Sequence, residues 1–206
     1  MSEEIREELR ADLLSQRPDW CATRWVLECS PFVFADYTPS DFWQWKDELA
    51  RGLNVDSKDI LIIGSGAAGV SLSRHKALKS FDNNSDIDVA VISAHHFDVA
   101  WRTLRSLGTR RYRLPVEQKN AVDEHVRRYI YWGTIATDRL LPLFPFADSW
   151  FSTLSAMRKH PATADRDIKA RIYRDFASLR AYLLHSIKRI RDNLLSTNAV
   201  STVQLN

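Results

Sequence analysis

The chain has 206 residues, 45% hydrophobic and 27% charged, with only two cysteines; this excludes a disordered, fibrous or disulfide-stapled protein, and a chain so long can bury roughly 70% of its unfolded surface. The net charge of +3 hides a gradient: residues 1–50 carry 5 basic against 11 acidic side chains, residues 102–139 carry 9 against 4, and residues 166–191 carry 8 against 2. A cationic second half suits a polyanionic partner such as a nucleotide or nucleic acid, although solvated helix faces produce the same clusters.

Residues 3–16 place Ile5, Leu9 and Leu13 at helical spacing, with Pro18 as a stop. The start is charged and amphipathic, without the apolar core of a secretion signal, and no later stretch reaches about 20 apolar residues. Both features predict a cytoplasmic protein that makes no membrane contact. Cys21 and Cys29 lack the paired spacing of a zinc site and read as free thiols. Residues 24–37, aromatic and β-branched, predict a short strand or an extended arm. Ser40 is positioned to cap a helix through Ala50, with Phe42, Trp45 and Leu49 on one face and Gly52 at its end.

Ile60-Leu61-Ile62-Ile63 predicts a buried strand, followed by a glycine-rich turn and a polar, helix-like stretch to about Ser80. After the turn Asp82-Asn83-Asn84-Ser85 comes a second strand over 87–92, then an amphipathic helix over 96–107. Residues 110–116 are a further candidate strand, 121–131 a helix, and 134–141 a strand edge. Two prolines keep 141–149 from being a regular helix and make it a hydrophobic connector. Ile168, Ile172, Phe176, Leu179, Leu183, Ile187, Ile190 and Leu194 form a heptad-like seam, predicting one long helix packed on the body or on a second subunit. The tail, 196–206, reads as loose.

Gly64-Ser65-Gly66-Ala67-Ala68-Gly69 matches the dinucleotide-binding pattern Gly-x-Gly-x-x-Gly after a strand. That reading needs an acid at the carboxyl end of the next strand, but here Asp86 and Asp88 open that strand, and a Rossmann oxidoreductase is the weaker alternative. Strand alternation instead places Asp86 and Asp88 on one face, about 7 Å apart, where they can share divalent metal. Gly64-Ser65 offers backbone N–H groups and a hydroxyl to phosphate oxygens.

A helix, a strand ending in Gly64-Ser65 and a later Ser85-Asp86-Ile87-Asp88 resemble the DNA polymerase β-like nucleotidyltransferase superfamily, over residues 40–93. The resemblance implies an α/β (α+β) fold with a small mixed sheet flanked by helices. It implies triphosphate contacts at Gly64 and Ser65, with Gly66 in the same loop, and two Mg²⁺ ions on Asp86 and Asp88, with Mn²⁺ as a substitute. The reaction implied is transfer of a nucleoside monophosphate from an NTP to a hydroxyl on RNA, protein or a small molecule. The resemblance is also compatible with bacterial toxin–antitoxin and phage-defence settings. The interval from Ser65 to Asp86 is long for the family, so an elaborated loop over 73–85, able to bear on acceptor or base choice, is expected.

Active members usually carry a third carboxylate on a later strand. Glu117, Asp123, Glu124, Asp138 and Asp148 are candidates, and Asp138 is preferred because apolar residues flank it at a strand edge. Arg110, Arg111, Arg113, Arg127 and Arg128 are candidates for phosphate contact, and Tyr112, Tyr129 and Trp132 for base stacking. Lys169, Arg171 and Arg174 are assigned to the polar side of the final helix, and His95 and His96 to a helix start or the surface. The expected organisation is an N-terminal helix and arm (1–39), a nucleotidyltransferase-like core (40–140), a connector and C-terminal helix (141–195) and the tail. A second function remains open: an inactive module of this type, binding a nucleotide, or a partner or second copy through the C-terminal helix. The two are told apart by whether Asp86, Asp88 and a third carboxylate converge.

Overall fold

A computed structural model describes residues 3–73, 75–76 and 78–203, with side chains as far as residue 196. Helix α1 (Glu3–Ser15) buries Leu9 and Leu13, as the spacing predicts. Pro18 opens α2 (Pro18–Ala22), which runs into a π-helical turn, Thr23–Leu27. The segment expected to be extended over 24–37 is thus turned, with a 3-10 turn at Phe32–Phe34. Its first residues are tied sideways to α1, where Trp25 Nε1 donates to Asp12 Oδ2 at 2.9 Å and Arg24 bridges Asp12 and Glu8, while Phe34 packs on Phe42 and Trp45.

Helix α3 (Pro39–Leu53) is capped two residues earlier than Ser40 suggests, because Thr38 forms a capping box with Asp41 and Pro39 occupies the first turn. It ends at Asn54, which adopts the left-handed conformation expected of Gly52. Gly52 instead lies where a following helix comes closest: a Cβ there would stand 2.3 Å from Thr153 Cγ2. That helix, α7 (Ala147–Met157), follows the proline-broken connector and was not foreseen; its Trp150 donates Nε1–H to Leu53 O at 3.2 Å.

Strands β1 (Ile60–Ile63) and β2 (Ile87–Ile92) lie where the apolar runs predict. The helix after β1, α4 (Ser65–Ala68), lasts barely a turn, since Gly69 at φ +73 caps it with its N–H on Ser65 O. The expected helical stretch to Ser80 is a loop pinched at its base by a Val70–Ser80 bridge, with Arg74 and Ala77 outside the described residues. Ser93 caps α5 (Ala94–Ser106). Residues 110–116, a candidate strand, form a 3-10 turn (Gly108–Arg113) that leads into α6 (Val116–Glu124). α6 continues through a π turn to Gly133, and β3 (Thr134–Ala136) follows.

The largest departure is at the carboxyl end. Ile168–Tyr173 is a strand, β4, and α8 begins only at Phe176, running to Val203 through most of the segment read as loose. The sheet order is β1-β2-β4-β3, with β2 and β4 parallel and both outer pairs antiparallel. One face carries Ile62, Ile87, Val89, Val91, Ala170 and Ile172, all buried. In α8, Leu179, Leu183, Ile187, Ile190 and Leu194 are buried in the chain's own core, and Arg191 Nη2 donates to Leu14 O of α1 at 2.7 Å. The seam therefore closes on the body. The fold is α+β with a four-stranded mixed sheet.

Candidate functional site

Gly64 ends β1 with φ +64 and ψ −142, a conformation essentially reserved for glycine. A Cβ there would sit 3.1 Å from Asp88 Oδ2, so the turn packs its bare backbone directly on that carboxylate. Ser65 starts α4 beside it, and Gly66 is buried beneath, over Ile62 and Ile87. β1 and β2 are antiparallel, with Ile63 opposite Asp88. A dinucleotide fingerprint requires a parallel βαβ unit, so the Rossmann alternative fails on topology.

Asp88 leaves part of its side chain open to a cavity of about 370 Å³, lined by the glycine turn, residues 71–73 and 75–76, Arg128, Tyr129, Arg171 and the α8 residues Tyr182, His185, Ser186 and Arg189. Protein atoms crowd its other sides, and desolvation raises its pKa above the ordinary 3.8 despite the opposing pull of Arg171 and Lys169. Among the described residues Asp88 is the one carboxylate lining the cavity; Lys76, Arg128, Arg171 and Arg189 line it as cations. Trp132, outside the lining, stacks on His185 with centroids 6.2 Å apart.

Asp86, toward the same face, is engaged by a cation. Its Oδ2 accepts from Lys169 Nζ at 2.5 Å, with both side chains about 40% exposed. That contact is the main cause of the raised Lys169 pKa. Lys169 stands opposite Asp88 in the β2–β4 register, and Arg171 follows two residues on, so both point to the Asp88 face. Neither was assigned to a strand from sequence; the alternation Ile168-Lys169-Ala170-Arg171-Ile172 was the signal that could have placed them. Arg171 is packed between Tyr129 and Tyr182, its Cζ 5.3 and 5.0 Å from their ring centroids. Its Nη1 is buried without a hydrogen-bond partner.

Asp138 lies two residues beyond β3, exposed, and lines a different cavity of about 300 Å³ with Asp167 and Lys169. Of the other candidates, Arg128 and Tyr129 reach the Asp88 cavity, whereas Arg110, Arg111, Arg113 and Tyr112 do not line it. His96 is buried rather than superficial, its Nδ1 2.9 Å from Ser93 Oγ and its ring against Trp150. Both thiols are free, and burial pushes that of Cys29 up to about 11, far from reactive.

Magnesium takes several hard oxygen donors at once. Among the described residues no group of three or more His, Cys, Asp or Glu side chains is placed to hold a metal ion. Asp86 is engaged by an ammonium, Asp138 faces another cavity, and the strand beside β2 presents Lys169 and Arg171 where a further carboxylate would complete the set. The residues as arranged do not fit a two-ion centre. Among the described residues, no helix is long and apolar enough to cross a membrane. The chain matches no family model, no curated protein and no solved structure.

Proposed function

We propose that the chain is a nucleotidyltransferase-like protein that binds a nucleoside triphosphate in the cavity beside Asp88. The phosphates lie against the Gly64-Ser65 turn and the Arg171 and Arg128 guanidinium groups, which suit phosphate oxygens as bidentate donors. The observation that carries this reading is the glycine turn packed on Asp88 at the edge of a cavity whose other charged lining residues, among those described, are cations. Because Asp86 is engaged by the Lys169 ammonium and Asp138 lines another cavity, the reading commits to binding and derives no metal-borne step.

A second reading, transfer of a nucleoside monophosphate to a hydroxyl on RNA, protein or a small molecule, is supported by Asp88 itself. A carboxylate open to the cavity with a raised pKa suits a general base that takes the proton of an attacking hydroxyl. The two are separated by supplying each α-labelled NTP with cellular RNA and protein in Mg²⁺ or Mn²⁺, alongside equilibrium binding measured both with metal and in EDTA. Saturable binding without label transfer is the expected result. Transfer lost in Asp86→Ala/Asp88→Ala establishes the enzyme instead, and absence of binding to all four nucleotides overturns both.

A further inference from the structure

We propose that Lys169 and Arg171 stand in for divalent metal, so that the cavity takes a nucleoside triphosphate as the metal-free anion. The inference rests on the nucleotide-binding reading above and names the ionic form of its ligand. A phosphate chain beside Asp88 needs positive charge between it and the carboxylates, or like-charge repulsion opposes binding. In a metal-dependent site that charge arrives with the ion.

Here the chain supplies it. The parallel register sets Lys169 against Asp88, and its ammonium is held on Asp86 at 2.5 Å. Arg171 lines the cavity, is fixed by two tyrosine rings and has a buried Nη1 whose hydrogen bond is unmade in the free chain. Lys169 itself lines the neighbouring cavity with Asp138 and acts through the Asp86 charge that it neutralises, whereas Arg171 lines the Asp88 cavity with Lys76, Arg128 and Arg189, against Asp88 as the one carboxylate among the described lining residues. A nucleoside triphosphate carrying Mg²⁺ has lost half its charge and meets these cations less favourably than the free anion. The ion's carboxylate ligand on Asp86 is already taken, and a Mg²⁺ brought near Asp86 would have to displace the Lys169 ammonium.

Isothermal titration calorimetry of the full chain with ATP, GTP, CTP and UTP, each in excess EDTA and in excess Mg²⁺, tests this. The nucleotide that binds best is expected to bind at least as tightly in EDTA as in Mg²⁺. Lys169→Met leaves Asp86 and Asp88 uncompensated; its binding in EDTA weakens about tenfold or more while Mg²⁺ restores it. Arg171→Lys keeps the charge but loses the fork, and weakens binding in both buffers. Both variants are first matched to the parent by circular dichroism and melting temperature, and a Lys169→Glu chain is titrated with Mn²⁺ alone by electron paramagnetic resonance. That substitution adds a carboxylate beside Asp86 and Asp88, and a Mn²⁺ site absent from the parent is expected to appear. Parent binding that is about tenfold weaker in EDTA, or a Lys169→Met chain with unchanged metal dependence, overturns the inference while leaving nucleotide binding standing. No binding in either buffer removes the nucleotide reading itself.

Discussion

Gly64 and Asp88 lie so close that a methyl group on Gly64 would make the carboxylate give way by a few tenths of an ångström. Gly64→Ala would place a Cβ 3.1 Å from Asp88 Oδ2 and force an L-residue to φ +64 with ψ −142. Such strain costs about 1–3 kcal/mol, so the variant is expected to melt several degrees lower and to lose nucleotide binding; unchanged melting would mean the turn relaxes freely. Asp88→Asn has the opposite sign. Burial raises the Asp88 pKa, so the folded chain holds its proton more tightly than the unfolded one, and ionisation at neutral pH works against folding. Because the side chain is partly open to solvent, the gain on removing the charge is small, below about 1 kcal/mol, and should be seen as a modest rise in urea midpoint at pH 7 that vanishes at pH 3. This pair was legible in the sequence: an acid inside an apolar run calls for a reason, and period-two alternation put Asp86 and Asp88 on one face. What the sequence hid was the company they keep. Lys169 and Arg171 reach Asp88 across 81 residues or more of chain, through a register that only the folded sheet defines.

At the scale of elements, the seam from Ile168 to Leu194 shows how a period can mislead. A step of four, such as Ile168 to Ile172, satisfies the helical spacing and is also an even number, so both residues fall on one face of a strand. The helical seam proper begins at Leu179, after Asp175 has capped α8 by accepting from Ser178 N at 2.7 Å. β1, β2, α1, α3 and α5 were legible because their apolar pattern fits one period alone, whereas α7 was obscured by the prolines before it. β3 is held by a device invisible in any periodicity: His125 Nε2 accepts from Ala136 N at 3.0 Å, which requires the proton to be on Nδ1, donated to Ala121 O. Burial lowers the His125 pKa below its ordinary 6.5, and desolvation does the same to His96. The unfolded chain therefore takes up protons first, and stability present above pH 6.5 is lost as pH falls through that value toward the folded pKa. Urea midpoints measured from pH 7.5 to 5.5 should fall, and His125→Gln should flatten that slope, leaving the part due to His96. A slope untouched by the substitution would place the titration elsewhere.

Taken as a whole, the molecule uses α8 for two purposes on two sides. One side, Leu179, Leu183, Ile187 and Ile190, fills the core between the sheet and the N-terminal helices. The other contributes Tyr182, His185, Ser186 and Arg189 to the cavity, so the charge gradient along the sequence becomes a cationic wall beside Asp88. This separation predicts two dissociable phenotypes. Ile187→Ala opens a void in a fully buried position and is expected to cost about 2–5 kcal/mol, lowering the melting temperature and, through displacement of α8, nucleotide binding with it. Arg189 is a half-buried cavity-lining side chain and not a core one; the melting temperature of Arg189→Glu should stay close to the parent's while nucleotide binding weakens and loses part of its salt dependence, because one of the cations that attract the phosphates has reversed sign. Were Arg189→Glu to bind nucleotide as the parent does from low to high salt, the wall of α8 would be a solvated helix face and the ligand would have to lie on the glycine-turn side alone.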